Sequence, residues 1–288
     1  MGFGNDPQWW NRKFLCCVGS RCVKLTSVGV VKYIDEAQWR FFFGSVFAAQ
    51  NRGKEGRSKM AIRIPRRKIV VGLSIITLLL IVLSVSSQIY KFVINNGTDR
   101  YLTTMFSFDA EHNFPTFFST IILLICSLLL IVIGESKKDP RDKFRWHWSI
   151  LGFVFFYLAT DEMLVLHEQT IGPIKNALHT SGFFLFAWVI PAGFFLLAFL
   201  LAYRKFLVEL PTRFRRLFIL SGLIYIAGAV VMELIGGNFA SHSGTNNLFY
   251  ALLTNLEEAF EMFGTIVFIH ALFSYIEEHG NDLRFRVE

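Results

Sequence analysis

Six apolar stretches constrain this chain more than any other feature. They lie at about residues 69–93, 114–134, 147–167, 182–203, 217–236 and 248–276. A run of about 20 apolar residues, rising ~1.5 Å per residue as a helix, crosses a hydrocarbon core ~30 Å thick. Backbone groups in lipid must be bonded within their own segment, so helix is the expected form, and the alternation of a membrane β-barrel is absent. The expectation is an all-α integral membrane bundle of six transmembrane helices. Composition agrees: 53% of the 288 residues are hydrophobic, 32 are Phe and only 18% are charged, against about 25% charged in a soluble domain. Disordered, collagen-like and disulfide-stapled chains are excluded on the same grounds.

Lys and Arg in the short loops set the orientation. Arg63, Arg66, Arg67 and Lys68 precede the first span. Loop 135–146 carries Lys137, Lys138, Arg141, Lys143 and Arg145; loop 204–216 carries Arg204, Lys205, Arg213, Arg215 and Arg216; the tail carries Arg284 and Arg286. The intervening loops hold only Arg100, Lys175 and none. This alternation predicts both termini in the cytoplasm, with Trp146 and Trp148 anchoring the cytoplasmic start of span three. It also accounts for the basic residues without nucleic acid, which is not an expected partner. Asn96-Gly97-Thr98 is formally a glycosylation sequon in an outer loop.

The net charge of +7 is unevenly spread. Residues 1–59 carry +6 and residues 60–288 carry +1. The division expected is a basic extension over 1–59 and a six-helix domain over 60–288. The extension holds Cys16, Cys17 and Cys22 without the spacing of a zinc site, and no disulfide is expected. Cys126 lies inside a span, where a free cysteine is a small buried hydrophobe. Asp6 stands where a myristoylation start wants Ser or Thr, and 41–49 is too short and poorly flanked for a signal peptide. The extension reads as poorly ordered, or as non-native, with the working chain starting at Met60.

The spans also carry charge. Span three ends in Asp161, Glu162, His167 and Glu168; span five carries Glu233; span six carries Glu257, Glu258 and Glu261; Asp109, Glu111 and His112 precede span two. Given the predicted orientation, all lie in the outer half of the bilayer or at its surface. At 100° per residue a straight helix puts Asp161 and Glu168 on one face and turns His167 about 120° away. Between Arg216 and Arg284 there is no Lys or Arg to balance Glu233, Glu257, Glu258 and Glu261. A charge at bilayer depth costs roughly 2.5–3.5 kcal/mol even on insertion scales. Three remedies are open: a bound metal, retained protons, or a water-filled cavity. His270 reads as a packing residue, and His179 and His242 as loop residues.

The motifs Phe108-Asp109-x-Glu111-x-Asn113-x-Pro115-Thr116, Asp161-Glu162-x4-His167-Glu168, Glu233 before Gly236-Gly237, and Glu257-Glu258-x2-Glu261-Met262-x-Gly264 resemble a group of uncharacterised bacterial multi-pass membrane proteins. The likeness covers about 60–280 and implies a bacterial inner (plasma) membrane location and no known activity. A second likeness, through Asp161-Glu162, is to alkaline ceramidases, multi-pass proteins with a metal-assisted amidase site. Their C-terminal His-x3-His pair is missing here, and Glu257-x3-Glu261 stands in span six instead.

Two functional readings lead. One is a metal-dependent enzyme acting on a lipid-like substrate, with Zn, Mn or Fe held among Asp161, Glu162, His167, Glu168, Glu233, Glu257, Glu258 and Glu261, and with Asp161, Glu257 and Glu261 as catalytic groups. The other is a proton- or cation-coupled transporter or channel; a membrane assembly or scaffold protein is a third. The lipid bilayer is the expected partner, with homo-oligomerisation open. Hydrolase-elbow, P-loop and dinucleotide motifs are absent.

Overall fold

The computed structural model describes residues 15–18, 21–24, 65–95, 101–137 and 142–279. Residues 1–61 and 62–288 form two separate units. In the first, the strands β1 (Leu15–Val18) and β2 (Arg21–Lys24) pair antiparallel, with Cys17 opposite Cys22. Met60, the sequon at 96–98, and Arg284 and Arg286 lie outside the described residues.

The second unit is helical: α1 (Arg66–Ile94), α2 (Tyr101–Phe106), α3 (Phe114–Ser136), α4 (Arg145–Leu164), α5 (Leu166–Leu178), α6 (Val189–Glu209), α7 (Thr212–Ser243) and α8 (Leu248–His279). Five of these are long and apolar enough to cross a membrane, and six spans result if α4 and α5 count as one bent span. By length and composition this is a membrane protein. Val71, Ile75, Leu79 and Val82 on α1 are exposed, as lipid-facing side chains are.

The helix boundaries have local causes. Asn113 caps α3: its Oδ1 accepts from Thr116 N at 3.2 Å, and Pro115 sits in the first turn. Its Nδ2 donates to the carbonyls of Thr104, Ser107 and Ala110, tying α2 to α3. Ser84 is fully buried, and its Oγ accepts from Phe108 N at 3.0 Å. Gln88 Nε2 donates to Ser107 Oγ nearby.

Span three departs from expectation. It does not run straight to His167: the chain breaks at Val165 (φ 53°, ψ 44°), and α5 leaves α4 at 79°. A β-branched residue with positive φ is a true outlier, and no Gly or Pro announces it. Span four also differs, since its helix begins only at Val189, after a 3₁₀ turn at Gly182–Phe184.

α8 is the central element, packed against α1, α3 and α7. Gly264 brings α7 so close that a Cβ there would lie 2.7 Å from Tyr225 N. Cys126 is fully buried on α3, 3.9 Å from the Thr265 carbonyl of α8. At one end of the bundle Trp148, Phe206, Phe218 and Tyr275 form an aromatic core. At that end also, Arg66 meets Glu277 at 2.9 Å, Arg213 meets Glu278 at 3.3 Å and Lys137 lies over Tyr275. The basic start of α1 and two basic loops thus gather around the last turns of α8.

Candidate functional site

α6 is the outlier of the bundle, because its backbone does not pack closely along any neighbour. It is fastened near its ends. At its start Trp188 Nε1 donates to Glu233 Oε1 of α7 at 2.7 Å. Toward its finish Tyr203 Oη donates to the His147 carbonyl at 2.9 Å, and Phe206 is buried against Trp148. Between these ties α4, α6, α7 and α8 enclose a partly open cavity of about 500 Å³.

All eight sequence-predicted residues line this cavity: Asp161, Glu162, His167, Glu168, Glu233, Glu257, Glu258 and Glu261, together with Asp109 and Glu111. His112, His179, His242 and His270 do not. The lining therefore holds nine carboxyl groups and one imidazole, with no Lys or Arg.

The break at Val165 overturns the straight-helix phase argument. Asp161 and His167, expected on different faces, are bonded twice: Asp161 Oδ1 accepts from His167 N at 2.8 Å, and Oδ2 lies 2.7 Å from His167 Nδ1. Asp161 so acts as a cap for α5 across the break, satisfying an N–H that a helix start leaves free. The His167 ring packs on Trp188, with centroids 4.7 Å apart. Asp161, His167, Trp188 and Glu233 form one continuous chain of contacts from α4 to α7.

A second irregularity places Glu233. Residues Ala227–Met232 of α7 form a π-helical turn. In a regular helix Tyr225 and Glu233, eight positions apart, would diverge by about 80°; one extra residue in the turn reduces this to about 20°. Both then face the cavity. Gly228 sits in that turn, and a Cβ on it would lie 2.6 Å from the Glu257 carbonyl oxygen, so only glycine allows the approach. Tyr225 and Glu261 line the cavity together. Glu233 and Glu257 face the cavity from the packed neighbours α7 and α8. Glu162 and Glu258, both half-buried, have no hydrogen-bond partner among the described residues and line the cavity.

Outside the spans, burial pushes the Glu111 carboxyl above the usual carboxylate range. Glu168 adds to this, while His167, His112 and the Thr116 hydroxyl oppose it.

Sequence reasoning missed Trp188, Tyr225 and Tyr250, which line the acidic end, and the aromatic far end with Phe155, Phe199, Phe206, Phe218 and Phe268. In a chain with 32 Phe these carry no distinguishing signal. Among the described residues no group of three His, Cys, Asp or Glu is arranged to hold a metal ion.

No curated protein and no solved structure matches the chain. A family model, a domain of unknown function (DUF8692), matches residues 73–276, a segment that contains every residue of the cavity; the chain belongs to the DUF8692 family.

Proposed function

We propose that this membrane protein binds a cation at the acidic end of its cavity and exchanges it for protons across the bilayer, the transport reading of the sequence. One observation carries it: nine carboxyl groups, seven of them on helices, face one space with a single imidazole and no Lys or Arg. Ionised carboxylates inside a bilayer are costly unless compensated. A bound cation or bound protons supply the compensation, and the two compete for the same groups. The loop charges favour an orientation with the acidic end outside, both termini in the cytoplasm and α5 along the outer surface. The family resemblance favours a bacterial plasma membrane.

The metal-dependent enzyme reading draws less support, because the acids are spread around the cavity and Asp161 is engaged by His167.

The test is proton flux in liposomes carrying the purified chain. A gradient of tetramethylammonium or octyltrimethylammonium is expected to drive counter-movement of protons, lost in Glu258→Gln. No cation-dependent proton flux would sink the proposal. A stoichiometric bound metal, absent from Asp161→Ala, Glu257→Ala and Glu261→Ala, would restore the enzyme reading.

A further inference from the structure

The cavity has two chemically different ends, and the division holds on each wall. On α8, Tyr250, Glu257, Glu258 and Glu261 precede Gly264, Thr265 and Phe268. On α4, Asp161 and Glu162 follow Leu151, Phe155 and Leu158. On α7, Glu233 follows Phe218 and Gly222; on α6, Trp188 precedes Phe195 and Phe199. Since α4 and α7 ascend toward the acids while α6 and α8 descend from them, acidic and aromatic lining segregate along the bundle axis. From Glu261 to Phe268 is about two helical turns, or ~10 Å.

An inorganic cation would use only one end of such a space. A phospholipid would bring its phosphate to the carboxylates and be repelled. A neutral hydrocarbon would leave Glu162 and Glu258 without a partner. Trp188, Tyr225 and Tyr250 line the acidic end, and aromatic rings attract organic ammonium groups. We infer that the cavity takes an amphiphilic organic cation, its ammonium-type head among Glu162, Glu258 and Trp188 and its apolar body against Phe155, Phe199 and Phe268. This deepens the cation reading above and rests on it. The volume of about 500 Å³ falls within the 300–1,000 Å³ typical of small-molecule sites.

Four probes separate the contributions of head and tail: octyltrimethylammonium, tetramethylammonium, octyl sulfate and 1-octanol. Each is titrated calorimetrically into the full chain in nanodiscs, with empty nanodiscs as the blank. Octyltrimethylammonium is expected to bind saturably at one per chain, and each of the others at least tenfold more weakly. Glu258→Gln and Phe199→Ala should each weaken octyltrimethylammonium at least fivefold, with Phe199→Ala leaving tetramethylammonium unchanged. Equal binding of tetramethylammonium and its octyl analogue would overturn the inference and leave the cation reading standing. Equal binding of octyl sulfate or octanol, or no binding of either cation, would overturn both. The comparison of probes on the unaltered chain decides the matter even if a variant fails to fold.

Discussion

The two faces of α4 obey opposite rules. Against α3 it packs through small residues: Ser127 Oγ donates to the Gly152 carbonyl at 2.8 Å, and a Cβ on Gly152 would lie 2.7 Å from Ile131 Cγ1. Gly134 meets Ser149 in the same seam. In lipid, where apolar side chains gain little by leaving their surroundings, close backbone approach and interhelical hydrogen bonds hold helices together. Against α6 the same helix presents Val154, Phe155 and Leu158 to open space, and α6 answers with Phe195, Phe199 and Leu200. Small residues close the first interface; large ones hold the second apart.

The comparison breaks most visibly at Trp148, which anchors α6 through Phe206 and joins α7 and α8 through Phe218 and Tyr275. Trp148→Ala is expected to cost about 3–5 kcal/mol and to give the largest fall in the melting temperature of the purified protein. Next is Gly152→Val, which overfills the α3–α4 seam at a cost of about 1–3 kcal/mol. Leu200→Ala on the open face should leave the melting temperature nearly unchanged, and equal losses for the two would dissolve the contrast. Trp188→Phe removes the indole donor to Glu233, a loss of about 1–2 kcal/mol. Hydrogen exchange should then quicken at the start of α6 while α3 and α4 stay protected.

The cavity was half legible in the sequence. Long apolar runs and basic loops announced the helices, and acids at one depth on several spans announced that something polar gathers there. The hidden part lies in backbone irregularity. Periodicity assumes a regular helix, so it carried span three through Val165 and separated Asp161 from His167; the structure instead turns the chain and bonds the pair. It likewise had no means of finding the π turn that aims Glu233. The π turn does have a partial signal in Gly228, whose missing side chain admits α8.

Smaller effects sharpen the comparison further. Because the folded chain holds the Glu111 proton above the usual 4.5, the unfolded chain ionises first as pH rises. Stability is therefore greatest below that value and declines as pH climbs toward the raised one. Glu111→Gln should remove this decline in melts recorded across pH. Smallest of all, Val165→Gly relieves a left-handed β-branched residue worth about 1–2 kcal/mol, offset by the added freedom of glycine in the unfolded state. A net change under about 1 kcal/mol is expected.

A helix tied near its two extremities, and held between them only through side chains such as Phe199, is freest to flex along its middle. Widening the gap beside α6 by such flexure would leave the α3–α4 seam untouched, so the exchange rate of the proposed cation would be set separately from how firmly the fold resists melting. Under that proposal, substitutions midway along α6 are expected to retune residence time while thermal tolerance stays where it was.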